Sequence, residues 1–363
     1  MKNTVDQLVK FSTDTLNNEL LARGFLEYWY HSNKIEGRYD PKISLDEKEA
    51  LVNKALKQEI VKRANIGQMA ERPVEEWFNY PNVSVAAFGV VGSLIDMILP
   101  DSVLETIGLY SDVKVVGWGD SAAFDVRPRD LFTVSRGSFG KREAEVRKQY
   151  SGQVTIVPEP RQITVGVSLY RILSGKESLA EFTQKAIRSI ETQMTIDVYT
   201  TMAATMAALP STATTGLQIA GYTQANLVRL AEQVTAWNGG AKAMVLGTAV
   251  GLLNVLPDDA NYRYELDSKY VALGHIPTIS GIDVMRLPQV ADITTPWGRV
   301  LSDSNLWVLS PSSQKIVKVV LEGNTLSNTS GTFEKADLSQ TTTLWKSYGI
   351  GVATNSTAGL ITL

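Results

Sequence analysis

The sequence predicts a mixed α+β fold, and three observations carry that prediction. A stretch from Ser178 to Leu209 repeats apolar residues at helical spacing; residues 112–126 and 153–170 carry β-branched residues near period two; and beyond Thr223 short helical and strand patterns alternate. Helices and strands that follow one another in this way pack as layers around a shared core. With 363 residues, 44% of them hydrophobic, the chain can bury a large core as one domain or as two to three smaller ones.

In chain order, residues 1–75 read as helical. Leu8, Phe11, Leu16, Leu20 and Leu21 mark a first segment, and Val52, Leu56 and Ile60 a second. Ser44 and Glu47 form a capping box at the start of the second, with Gly67 and Pro73 as stop signals. Together they suggest a charged, amphipathic N-terminal arm. Val83 to Leu99 approaches the length of a membrane span, but Ser84, Ser93 and Asp96 interrupt it and it falls short of roughly 20 apolar residues, so it is expected to be buried core.

Residues 112–126 and 153–170 then read as one long two-stranded hairpin. Its tip is basic. Arg127, Arg129, Arg136, Lys141, Arg142, Arg147 and Lys148 outnumber Asp130, Glu143 and Glu145, and Pro128, Gly137 and Gly140 break any long regular element there. Two strands alone are marginal in water, so the hairpin needs a neighbour to lie on. Ser178 and Glu181 form a second capping box, opening a helix of roughly 45 Å that carries Leu179, Phe182, Ala186, Ile190, Met194, Val198 and Met202 on one stripe and ends before Pro210. Helix at 225–237, strand at 243–246, helix at 250–256 and strand-like stretches at 276–285, 306–309 and 316–321 make a compact α+β unit. Residues 344–363 are expected to close the chain in a sheet.

Composition excludes several function classes. Lys plus Arg number 35 against 38 Asp plus Glu, a formal charge of −3, which lacks the basic excess of a dedicated nucleic-acid binder. There is no cysteine, which excludes disulfides and thiolate metal sites and fits a reducing compartment. Met1 to Phe11 lacks the apolar stretch of a signal peptide, so export is not expected.

Tests for chemistry return little. Gly117, Gly119 and Ala122 satisfy the spacing of a dinucleotide-binding loop, but the following segment alternates and contains Pro128 where a helix should open, which favours a glycine kink in a strand. Ser135 to Arg142 resembles a phosphate loop with the wrong residues at its two decisive positions. His31 and His275 stand alone, and Asp258, Asp259 and Asp267 lack calcium-loop spacing. Met194, Met202 and Met206 read as core or subunit contact, and most of the scattered tryptophans, Trp29, Trp77, Trp118, Trp237, Trp297, Trp307 and Trp345, as packing anchors. No catalytic residue, cofactor or metal is expected. An enzyme using Gly117 and Gly119 is the alternative from a different class, and cofactor-dependent thermal stabilisation is its test.

The order of these parts resembles the major capsid proteins of tailed bacteriophages, the Hong Kong 97-type fold, over nearly the whole chain; Lys242 to Gly247 (KAMVLG) and Tyr348 to Val352 (YGIGV) are similar to local stretches of that family. The resemblance implies a helical N-terminal arm over residues 1–75, the start of a peripheral domain over 76–111, an extended loop over 112–170, a spine helix with peripheral domain over 171–222, an axial domain over 223–321 and a return to the peripheral domain over 322–363. It further implies self-assembly into the pentamers and hexamers of an icosahedral head, with the seven basic tip residues at subunit contacts. Scaffolding protein, portal and decoration proteins are the other implied partners. Packaged DNA would be touched only by weak non-specific contact, no membrane would be involved, and the virion, assembled in the bacterial cytoplasm, would be the location. Some members cross-link a loop lysine to an asparagine, but neither Lys141 nor Lys148 matches that motif. An encapsulin, a bacterial compartment shell of the same fold, is the nearest alternative.

Overall fold

The computed structural model describes residues 19–35, 37–67, 76–77, 80–108, 111–126, 151–168, 171–172, 174–211, 216–257, 274–292, 295–310, 315–329, 340–352 and 356–363. Among the described residues three helices precede the first strand: α1 (Glu19–Ser32), α2 (Leu45–Arg63) and α3 (Pro81–Ile107). The capping box of α2 is present in full, Ser44 accepting from the Glu47 amide and the Glu47 side chain accepting from the Ser44 amide. These helices depart from the expectation of an arm. Leu21, Phe25 and Trp29 of α1 and Val52, Leu56 and Ile60 of α2 are buried in the same core as α3, because each helix carries one apolar stripe that finds its cover within the chain.

Helix α3 is long and apolar enough to cross a membrane, yet 78% of that stretch is buried inside the protein. Phe88, Val91, Leu94, Ile95, Ile98 and Leu99 show why: the helix is apolar nearly all round because it is surrounded. It lies against α4 (Leu179–Ala207), where the Phe88 and Phe182 rings meet edge to face at 6.2 Å. Met194, Val198, Met202 and Met206 of α4 are buried in this core, as their spacing predicts, and Tyr199 is buried with them. Only half of the second capping box forms. Ser178 accepts from the Glu181 amide, but the Glu181 carboxylate turns outward to Lys185 at 2.8 Å, one helical turn on.

The described strands make three sheets. Strands β1 (Ser111–Val116), β10 (Val317–Thr329), β11 (Gln340–Val352) and β4 (Glu159–Val167) form a four-stranded sheet in the order β1-β10-β11-β4. Among the described residues, strands β2 (Ala122–Val126) and β3 (Gly152–Ile156) form a two-stranded sheet of their own. Strands β5 (Gln218–Ala220), β12 (Gly359–Thr362), β9 (Asn305–Leu309), β6 (Met244–Gly247), β8 (Ile282–Arg286) and β7 (Thr278–Ile279) form a six-stranded sheet in that order, with helices α5 (Gln224–Trp237) and α6 (Ala249–Leu252). The six-stranded sheet is covered on both faces. Leu306, Val308, Val245 and Ile361 face a core built with α5, while Trp307, Leu309, Leu246 and Leu360 face the main core, which is why these strands read as unbroken apolar runs.

Strand pairing divides the sequence differently from its linear reading. The stretch 112–170 is not one hairpin: β1 lies parallel to β10 and β4 antiparallel to β11, leaving only β2 and β3 as a ribbon. Residues 317–321 belong to the four-stranded sheet rather than to the α+β unit after Thr223. The last strand, β12, does not return to that sheet either, but inserts between β5 and β9. Each of these pairings joins segments far apart in sequence, which local periodicity cannot report.

Candidate assembly surface

The register of the two-stranded ribbon runs from Ala122 opposite Ile156 to Val126 opposite Gly152. All seven basic residues singled out in the sequence, Arg127 to Lys148, fall outside the described residues, as do the SRGSFGKR segment and Asp258, Asp259 and Asp267. What the structure does describe is how the ribbon is seated. Ala122 and Phe124 on β2 and Ile156 on β3 bury against Val320 of β10. The Phe124 ring faces two cations, Lys114 Nζ at 4.2 Å and Lys318 Nζ at 5.6 Å; Lys318 pairs with Asp112 at 3.3 Å, and Lys114 donates to the Ala123 carbonyl at 2.8 Å. Gly152, Gln153, Val154 and Thr155 are all exposed, so among the described residues nothing covers this stretch of β3.

The turn that feeds the ribbon contains the glycines considered for a cofactor. It joins two strands and opens no helix: the Asp120 amide donates to the Gly117 carbonyl, and the Gly119 amide, at φ +80°, donates to Glu322 Oε1 at 2.6 Å. A pyrophosphate cradle needs a helix N-terminus at this point, and β2 stands there instead. Trp118 on the turn is exposed at the mouth of a cavity of about 480 Å³ lined by Pro100, Val115, Leu321 and Leu326, with Asp96 and Lys346 on its wall.

From β3 the chain turns at Val157 and Pro158 into β4, passing over Gly349 and Gly351 of β11. A Cβ on Gly349 would lie 2.9 Å from Ile156 Cγ2 and 2.9 Å from the Val157 carbonyl oxygen, and one on Gly351 2.9 Å from Ile156 Cδ1. The YGIGV stretch therefore supplies a bare patch on which the ribbon's corner rests. Beside it, Tyr348 donates to Asp197 Oδ2 of α4 at 2.8 Å, Arg161 of β4 reaches the same oxygen at 3.5 Å, and the Arg161 guanidinium stands 5.6 Å from the Tyr348 ring. These groups, with Glu159, Thr200 and Thr201, line a polar cavity of about 280 Å³. The ribbon's base is thus fastened at once to the sheet and to the long helix.

Burial, followed by the hydrogen bond to the Asp197 carboxylate, raises the Tyr348 phenol; the same causes, with Asp101 as acceptor at 2.6 Å, raise Tyr30 to about 12. A raised phenol contributes stability that is complete below its ordinary value of 10.0 and is lost as pH climbs through the folded-state value. The urea midpoint is therefore expected to fall between pH 10 and about 12, with phenolate absorbance rising in step. A Tyr30→Phe variant should lose less; an equal loss would remove Tyr30 from the account.

Tryptophan placement corrects the sequence reading. Trp29, Trp77 and Trp307 are buried, but Trp118, Trp237, Trp297 and Trp345 are exposed. A signal for three of the four was available, because Trp118 and Trp297 directly precede a glycine and Trp237 stands two residues before Gly239 and Gly240, which marks turns and helix ends rather than core. His31 stacks on Tyr39 at 4.4 Å. Among the described residues no cluster of metal-ligating side chains occurs.

Compared with known protein families, residues 35–362 match the model of a family described as "SPbeta prophage-derived putative capsid protein YonB". The chain belongs to this capsid-protein family. Its role is structural, that of a phage coat protein, and its place is the virion. A prophage capsid family also favours the capsid over the compartment reading. No curated protein matches the chain. Among solved structures, the mature capsid of bacteriophage PhiM1 is 13% identical with a TM-score of 0.45, covering 70% of this chain and 85% of that one. The capsid of a native GTA particle is 13% identical with a TM-score of 0.47, covering 72% and 90%. Mycobacterium phage Che8 is 11% identical with a TM-score of 0.42, covering 67% and 84%. At these scores the family match carries the assignment.

Proposed function

We propose that this capsid protein is the major coat subunit of a phage head, assembling in the host cytoplasm into pentamers and hexamers of an icosahedral shell around the genome. The observation that carries the reading is the ribbon of β2 and β3: Phe124 and Ile156 seat it on Val320 and its corner rests on Gly349, yet Gly152, Gln153, Val154 and Thr155 are exposed. A ribbon of two strands is marginal unless something lies against it, and in a shell the neighbouring subunit does. In this proposal the ribbon and the segment 127–150 form the extended loop, α4 the spine, the six-stranded sheet with α5 the axial domain, and α3 with the four-stranded sheet the peripheral domain. Arg127, Arg129, Arg136, Lys141, Arg142, Arg147 and Lys148 then meet acidic groups of an adjacent copy, while scaffolding, portal and decoration proteins complete the particle. The formal charge of −3 suits a container that touches DNA without gripping it.

The test is negative-stain electron microscopy with size-exclusion chromatography on the chain expressed alone and with its neighbouring genes. Shells, or hexamers and pentamers, are expected; a persistent monomer in both preparations would sink the reading. In the same assay the double variant Arg142→Glu, Arg147→Glu should fold normally but assemble poorly, since a charged loop tip adds little to packing within the chain and much to recognition between chains. Normal shells from it would remove the basic tip from the contact.

A further inference from the structure

Trp297 is the most exposed large apolar side chain among the described residues, at 101% of the reference surface. Its backbone is also unusual. With φ at +63° it occupies the left-handed region, which a bulky side chain rarely adopts because of steric strain. The loop around it is braced: the Gly298 amide donates to the Thr295 carbonyl at 2.9 Å, the Asp292 amide to the Gly298 carbonyl at 3.0 Å and the Val300 amide to the Val290 carbonyl at 3.1 Å. Below them the Gln289 side chain bonds both backbone groups of Leu301, at 2.7 and 3.0 Å, and Leu301 is buried in the main core.

The glycine of this loop lies one residue later. At Gly298 a Cβ would stand 2.9 Å from Thr295 Cβ and 3.0 Å from Asp292 Cβ, so crowding demands glycine there. Position 297 has the backbone that favours glycine but carries tryptophan. Packing within the chain does not hold that side chain, since it is fully exposed, and local geometry opposes it. A single exposed apolar residue is ordinary on a protein surface. A fully exposed tryptophan on a braced loop, in a conformation that disfavours it, is not accounted for by the isolated chain.

We infer that Trp297 is an anchor between subunits, buried against an adjacent copy of this chain when the shell forms. The inference rests on the shell reading proposed above, which supplies the partner: a capsid protein works packed against copies of itself. Tryptophan suits the role because it carries a large apolar area on few rotatable bonds and is enriched among the residues that dominate interface energy. The loop rises from the segment that follows β8 and precedes β9, so its position is set by the six-stranded sheet and not by the two-stranded ribbon. It would therefore be a contact separate from the extended-loop tip.

The test uses the full chain in two ways. Trp297→Gly and Trp297→Asn both suit a left-handed backbone, so each should melt at or above the wild-type temperature before assembly while needing a roughly tenfold or higher concentration to form shells. Oxidative footprinting of wild-type protein, read by mass spectrometry on the peptide holding Trp297, should show strong labelling in unassembled chains and protection in shells. Shells from either folded variant at the wild-type concentration, or equal labelling of Trp297 in both wild-type states, would overturn the inference while leaving the shell reading intact. If both variants misfold, the wild-type footprint decides. A wild-type chain that never assembles overturns the shell reading, and the anchor with it.

Discussion

Replacing Lys346 with alanine is expected to cost about 3–5 kcal/mol of stability, read as a lower urea midpoint with an unchanged slope. Lys346 Nζ lies 2.6 Å from Asp96 Oδ1 and 2.7 Å from the Gly323 carbonyl oxygen. The same carboxylate accepts the Thr325 amide at 2.7 Å and the Thr325 hydroxyl at 2.6 Å. Both charged side chains are largely buried, 5% exposed for Lys346 and 12% for Asp96. Three elements meet here: α3 supplies Asp96, β11 supplies Lys346, and the register shift of β10 between Glu322 and Leu326 turns Thr325 toward the helix. Removing the lysine leaves a buried carboxylate without its counter-charge, which is worse than removing both. The double variant Asp96→Ala, Lys346→Ala should accordingly lose less than the two single losses added. A single loss below about 1 kcal/mol, the range of surface pairs, would show that the cluster is effectively solvated.

Gly349→Val should abolish shells while leaving a folded chain. The new Cβ would meet Ile156, the Val157 carbonyl and, at 3.2 Å, the Pro158 Cα, and two of these are backbone atoms that cannot rotate away. Overpacking of this kind costs about 1–3 kcal/mol, borne at the corner between β3 and β4 and not in the core of α3 and α4. The corner is expected to lift from β11, misdirecting the ribbon that a neighbouring subunit must receive. Electron microscopy reads the loss of shells, and faster amide exchange in β3 with unchanged exchange in α4 locates the damage. Wild-type shells from Gly349→Val would mean that this corner does not aim the ribbon.

Part of the ribbon's seating was legible in the residues. Tyr348 to Val352 stood out as a stretch characteristic of the family, and residues 153–156 read as strand, but the reason the two belong together is a contact between Ile156 and Gly349 that no periodicity encodes. Asp96 was visible only as a charge interrupting an apolar run; its partner stands 250 residues on. The exposed tryptophans were misread because tryptophan on average is mostly buried, and the glycines beside them were not weighed against that average.

What the sequence by itself determined is the set of elements. The capping box at Ser44 and Glu47, the apolar stripe from Leu179 to Met206 and the alternation in 163–167 and 344–352 act over a few residues, through helix-end amides and side-chain periods of 3.6 and 2. Tertiary structure alone decided which strands became neighbours. It parted β1 and β4 from the ribbon, carried β12 across to lie between β5 and β9, and drew the N-terminal helices into the core. Each outcome depends on burying a face against a segment remote in sequence, and many remote segments offer an apolar face of the right period. The choice among them is made by shape, register and the few buried polar groups, such as Asp96 and Lys346, that must find one another before the core can close.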